Sequence, residues 1–158
     1  MTKDAELRSL LKSVRRIARA VDLHSRQIDR QAGLTLPQLV VLTIVRDLGE
    51  VTGRAVSEEA DLSAATVVGI LDKLEAKGLV ERYRSRTDRR IVHTRLTEKG
   101  HAALLAAPPA LGHKFERAFL KLAPDERSAT LKALRLVADL ASMEAADALD
   151  GANAEDVV

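Results

Sequence analysis

The 158-residue chain has no cysteine and no tryptophan, and its aromatic residues amount to 2%. The missing cysteines exclude disulfides, thiolate metal sites and thiol-based oxidation sensing within this chain. With one tyrosine and two phenylalanines, a core has to be built from Leu, Val, Ile and Ala, which favours helices. Many small alanine contacts leave a single chain short of buried area, which points to helices shared between two copies. No stretch approaches the ~20 apolar residues that a bilayer span requires, and the N-terminus lacks an apolar signal-type segment. A cytoplasmic protein with no membrane partner is therefore expected. There is no G-x-S-x-G, no P-loop and no dinucleotide fingerprint, so neither enzyme chemistry nor a cofactor is expected. The four histidines, His24, His93, His101 and His113, show neither i, i+4 nor H-x-x-E-H spacing, so no metal site is expected.

Apolar residues make up 46% of the chain and charged residues 30%, with a formal net charge of +2. That small charge is unevenly spread. Between Val80 and Arg95 stand six arginines (Arg82, Arg84, Arg86, Arg89, Arg90, Arg95) against Glu81 and Asp88, a local balance of +4. From Asp139 onward there are six acids and no Lys or Arg. An acidic end is repelled by phosphates, so it belongs away from any nucleic acid.

The organising stretch is Thr52 to Gly100. Thr52 can cap a short helix over roughly 53–60, whose Val56 and Ala60 lie four apart on one face. Leu62-Ser63 reads as a turn, with Ser63 capping a second helix in which Val67, Ile70, Leu71 and Leu74 keep helical spacing. Gly78 stands just past that helix. Two short strands follow, around 80–85 and 91–96, joined by Arg86-Thr87-Asp88-Arg89-Arg90. Two closely joined helices followed by a basic hairpin form a winged helix-turn-helix, whose second helix fits the major groove of DNA. Arginine suits phosphate contacts and a narrow minor groove because its planar fork stays charged and is weakly hydrated. The plainer reading is a solvated hairpin whose charges keep an edge strand from pairing. The helix-turn-helix beside it decides for DNA.

The run Leu71-Asp72-Lys73-Leu74-Glu75-Ala76-Lys77-Gly78-Leu79-Val80, with Leu62-Ser63 before it and Asp88-Arg89-Arg90…Leu96-Thr97-Glu98-Lys99-Gly100 after it, resembles the MarR family of bacterial transcriptional regulators. The D-x-R…L-T-x-x-G arrangement around the wing is its most specific part. The resemblance implies a homodimer on a palindromic operator, usually a repressor released by a small ligand. It also implies that Asp88 holds the wing tip by pairing with a neighbouring arginine, and that Arg90 is the wing arginine.

The fold class expected is mainly α with a small β-wing. A winged helix-turn-helix at 34–97 lies between dimerisation helices at 1–33 and 98–149, with a disordered tail at 150–158. The first helix, over about 4–30, carries the stripe Leu7, Leu10, Leu11, Val14, Ile17, Ala18 and Val21. The next starts at Thr35-Leu36-Pro37 and runs to about Leu48; its Leu39, Val40, Leu42, Val45 and Leu48 are expected to be buried. Pro108-Pro109 must break the helix begun at Thr97. A last helix starts at Pro124-Asp125-Glu126 with the stripe Leu131, Leu134, Val137, Ala138 and Ala141. The outer helices exceed what a winged core needs, so their stripes are expected to meet a second copy.

On the reading helix, Ser63, Ala65, Thr66, Val68, Gly69 and Lys73 are expected to face DNA, a set poor in hydrogen-bonding groups. MarR-like proteins often carry longer polar side chains near Ala64 and Val68. Readout here would rest on the two hydroxyls, on apolar contact with thymine methyls and on Lys73. Arg54, Arg84, Arg86, Arg89 and Arg90 are assigned to the DNA backbone and the minor groove. Candidates for an effector site are Arg16, His24 and Arg26 on the first helix and Arg86 on the wing, although a surface or capped histidine is the favoured reading of His24. The competing function is a helical protein-interaction module without a DNA role.

Overall fold

Five helices start at a hydroxyl residue whose side chain accepts an otherwise orphaned backbone N–H. Thr2 caps α1 (Lys3–Ala32), Thr35 caps α2 (Leu36–Leu48), Thr52 caps α3 (Gly53–Ala60), Ser63 caps α4 (Ala64–Ala76) and Thr97 caps α5 (Glu98–Ala106). At Thr35 the cap is reciprocal, because Gln38 Oε1 accepts the Thr35 N–H at 3.2 Å. Such a two-way capping box fixes the corner between α1 and α2. The structure, a computed structural model, describes residues 2–154 and the side chains of residues 2–143. The tail expected at 150–158 lies outside the residues whose side chains are described.

Three short strands, β1 (Val51–Thr52), β2 (Val80–Arg84) and β3 (Val92–Leu96), form an antiparallel sheet in the order β1-β3-β2. Val80 pairs with Leu96 and Arg84 with Val92, while Val51 on the other edge pairs with Thr94. Alternation places Val80 and Thr94, both buried, on the face turned to the helices. Glu81, Tyr83, His93 and Arg95 share the opposite face, where Arg95 lies 5.1 Å over the Tyr83 ring.

The core joins α2, α3 and α4 beneath this sheet. Leu42, Val45, Val56, Val67 and Leu74 are almost completely buried, together with Ile28 and Leu34 from the first corner. On α2 the buried positions are Gln38, Leu39, Val41, Leu42 and Val45. This corrects the expected stripe: Val41 is inside, whereas Val40 and Leu48 are exposed. At 100° per residue, Val40 points almost directly away from the Leu42–Val45 line, and Leu48 lies beyond its edge.

The chain forms two compact units, Met1–His113 and Lys114–Val158. In the first, α5 stops at Ala106 and Ala107 is extended just before Pro108-Pro109, as the missing proline amides require. The second contains α6 (His113–Lys121), whose helix begins at the last residue of the first unit, and α7 (Pro124–Ala154). Arg127 Nη1 closes the corner between them by donating to the Leu120 and Leu122 carbonyls at 3.2 and 2.6 Å. The apolar stripe of α1 is not covered: Leu7, Leu10, Leu11, Val14 and Ile17 keep 39–55% of their surface. Leu131, Leu134, Leu136 and Leu140 on α7 are exposed likewise. None of the helices among the described residues is long and apolar enough to cross a membrane.

Candidate nucleic-acid interface

The helix-turn-helix is set by a tight turn after α3. Asp61 takes a left-handed conformation (φ 52°), and Ser57 Oγ donates to the Leu62 carbonyl at 2.5 Å. Aspartate tolerates this region better than most residues, and its part in the turn was not read from the sequence. Ser63 Oγ then accepts the Thr66 N–H at 3.1 Å and stands 2.8 Å from Thr66 Oγ1. The two hydroxyls on the exposed side of α4 thus hold each other, which leaves the pair fewer free positions.

Val67, Ile70, Leu71 and Leu74 fix the inner face of α4 in the core. Ser63, Ala64, Ala65, Thr66, Val68, Gly69 and Lys73 are exposed. Half of the Val68 surface is open, an apolar contact on an otherwise short-chained face. The far end of the helix is held from several sides. Gly78 (φ 71°) donates to the Glu75 carbonyl, and Leu79 donates to Leu74, the paired bonds of a Schellman ending that needs a left-handed residue. Lys77 Nζ reaches the Gly33 carbonyl at 2.6 Å and Gln38 Oε1 at 3.1 Å. Lys99 Nζ donates to the Lys77 carbonyl at 2.8 Å, and Thr97 Oγ1 donates to the Gly78 carbonyl at 2.6 Å.

The six wing arginines fall into three settings. Arg82 and Arg95 are engaged by carboxylates: Arg82 by Asp72 and Glu75 of α4, Arg95 by Glu81 and Glu50. The Glu75 carboxylate on Arg82 holds the Arg82 pKa above its usual value, and the same contact depresses that of Glu75. Arg84, Arg86 and Arg89 instead line a shallow open concavity of about 560 Å³ at the tip, together with Ser85. Asp88 Oδ1 accepts the Arg90 backbone N–H at 3.0 Å and approaches Arg90 Nε at 3.4 Å. Ser85 Oγ accepts the Thr87 and Asp88 amides. These local bonds shape the tip while the Arg90 side chain stays 93% exposed. The charge count along the sequence treated the six alike; Asp72, Glu75 and Glu50 precede the stretch from Val80 to Arg95 and escape its count, which did include Glu81.

Arg54 is at the start of α3, exposed and paired with Glu58 at 2.9 Å. Arg16, His24 and Arg26 are on α1, and Arg86 belongs to the concavity at the wing tip. No hydrogen bond or ion pair among the described residues joins Arg86 to those three. The His24 ring lies against Gly112, where a Cβ would come within 2.6 Å of it. A second hollow of about 240 Å³ is lined by Val45, Arg46, Gly49, Glu50, Arg95, Leu96 and His101, and by none of these four. Among the described residues, no group of three His, Asp or Glu side chains is placed to hold a metal ion.

Residues 34–92, which carry α2, the helix-turn-helix and the first part of the wing, match the model of the MarR family. Over that stretch the chain is similar to the MarR family. The uncharacterized HTH-type transcriptional regulator YsmB of Bacillus subtilis (strain 168) is 34% identical over 89 residues, which are 56% of this chain and 61% of YsmB. The chain thus spans about three fifths of that relative's length. Among solved structures, that of BpsR from Bordetella bronchiseptica, whose DNA binding is regulated by 6-hydroxynicotinic acid, is 29% identical. It covers 88% of this chain and 97% of its own, with a TM-score of 0.67. The transcriptional regulator PcaV of Streptomyces coelicolor, solved with its natural ligand, is 26% identical over 81% of this chain and 90% of PcaV, with a TM-score of 0.66.

Proposed function

We propose that this protein is a cytoplasmic, sequence-specific transcriptional regulator of the MarR family that binds double-stranded DNA as a homodimer on a palindromic operator. It acts as a repressor and is released by a small-molecule effector. The observation that carries the reading is the exposed face of α4 beside a wing whose tip presents Arg84, Arg86, Arg89 and Arg90, with one nearby carboxylate, Asp88. In this reading Ser63, Ala65, Thr66, Val68, Gly69 and Lys73 enter the major groove, Arg54 touches the backbone, and the tip arginines take phosphates and the minor groove. The open stripes of α1 and α7 support a partition in which 1–33 and 98–149 pair with a second copy. Two reading helices would then stand about one helical turn, roughly 34 Å, apart on the DNA.

A gel shift with the intergenic DNA upstream of the protein's own gene tests this. A specific shift supports the regulator; none at low salt would leave the protein-interaction module. Arg90→Ala should weaken binding nearly uniformly across operator sequences, whereas Thr66→Ala should flatten sequence preference. The effector is placed between the α1 side and the winged unit, with Arg16, His24, Arg26 and Arg86 as the groups that would meet it. Arginines and a histidine favour an aromatic acid, the class that regulates DNA binding of BpsR. Release of the operator by 6-hydroxynicotinic acid, lost in Arg16→Ala or Arg26→Ala, is the corresponding assay.

A further inference from the structure

We infer that Arg82 is a positioning residue: it clamps Asp72 and Glu75 of the recognition helix to the first wing strand and so fixes the angle at which one subunit addresses two grooves. The inference rests on the DNA-binding reading above. Arg82 meets the helix through four hydrogen bonds. Its backbone N–H donates to Glu75 Oε1 at 3.3 Å, its Nε to Glu75 Oε2 at 3.0 Å, and its Nη2 to Glu75 Oε2 at 2.5 Å and Asp72 Oδ1 at 2.6 Å. The side chain is 27% exposed, so with its donors turned to α4 it is not one of the arginines held out to a polyanion.

From α4 the chain passes through the left-handed Gly78 and the buried Leu79 into β2, whose first residue, Val80, is buried too. Apolar contacts of that kind are non-directional and tolerate small rotations. A guanidinium fork set on two carboxylates one helical turn apart is directional. Strand residues rise ~3.3 Å each, so the tip lies roughly 15 Å beyond Arg82, and a tilt of about 10° would carry it about 2–3 Å sideways. Hydrogen bonds to a groove do not survive such a shift. The ion pairs are half-exposed, with Asp72 55% and Glu75 39% open, so their share of stability is small while their effect on wing placement is large.

The test is a double-mutant cycle in the full chain on its operator. In the parent protein, Arg90→Ala should weaken binding about tenfold. In an Arg82→Gln background the same change should cost less than about threefold, because the tip is already displaced, while Thr66→Ala should cost the same in both. Hydroxyl-radical protection under the wing should fade while major-groove protection persists. The pair Asp72→Asn with Glu75→Gln, which opens the clamp from the helix side, should reproduce the effect, and Arg82→Lys should not restore it. Additive losses for Arg82 and Arg90, or full restoration by lysine, would overturn the inference while leaving the DNA-binding reading intact. Failure of the parent protein to bind DNA would remove both.

Discussion

Gly100 is a helical residue at which alanine would ordinarily help, since glycine costs about 1 kcal/mol in a helix interior. Here the sign reverses. A Cβ would lie well inside contact distance of the Leu79 carbonyl oxygen and 3.0 Å from its carbon. That carbonyl cannot swing aside, because it also accepts the Thr97 N–H at 3.1 Å. Gly100→Ala should therefore destabilise the fold by about 2–3 kcal/mol, seen as a lower denaturant midpoint at fixed protein concentration. A neutral or stabilising result would contradict the close approach. The sequence places Gly100 in a motif and in a helix, but not against a backbone 21 residues earlier. Glu75 makes the second prediction at this scale. Arg82 depresses its pKa, so the pair contributes stability above the unfolded value of ~4.3 and loses it as pH falls through the folded value. Denaturation of the parent and of Glu75→Gln should differ at pH 7, by less than about 1 kcal/mol given the exposure of the pair, and should converge once the pH has fallen below the depressed folded value.

Among the elements, the end of α4 draws the most attachments. Lys77 joins it to the α1–α2 corner through Gly33 and Gln38, and Lys99 joins it to the start of α5. A cation at a helix C-terminus is favourable in itself, and here Lys77 meets the carbonyl of Gly33, the residue whose N–H closes α1 on Asp29. Lys77→Met should cost about 1–2 kcal/mol and raise amide exchange at Ala76–Leu79 before exchange elsewhere in α4 rises. Uniform exchange across the helix would show that the attachment is not local. Element existence was legible from hydroxyl caps, Gly33, Gly78 and the proline pair, since each acts through near neighbours. The α4 stripe was also legible, because Val67, Ile70, Leu71 and Leu74 keep both spacing and angle. On α2 every position near the stripe is apolar, so residue type could not tell Val40 from Val41. Asp61 was missed because a left-handed aspartate carries no signal as clear as glycine. The division of the wing arginines was hidden for a different reason: Asp72 and Glu75 come before the strand and meet Arg82 through tertiary packing.

At the scale of the molecule, the charge and the apolar surface make separate demands. Dimeric binding through two wings implies a steep salt dependence, since each phosphate neutralised contributes about −0.9 to the slope of log affinity against log salt. Removing Arg90 from both subunits should lower that slope by about 2. The exposed apolar stripe on α1 makes the final prediction. Leu10, Leu11, Val14 and Ile17 line one side of a helix whose other positions are largely charged or polar, and such a patch on a free surface ordinarily marks an interface. Putting a carboxylate in its middle would force an unpaired charge into a dry contact, at several kcal/mol. Ile17→Asp should then halve the mass measured by light scattering at micromolar concentration. Ile17 is itself 48% exposed and absent from the core, so helix content and the unfolding of the winged unit should change little. Operator affinity should drop steeply, because two half-sites would no longer be bound by a single particle. An Ile17→Asp protein that keeps the mass of the parent would place the pairing surface elsewhere, whereas one that becomes monomeric and still binds the full palindrome as tightly would show that reading does not depend on pairing.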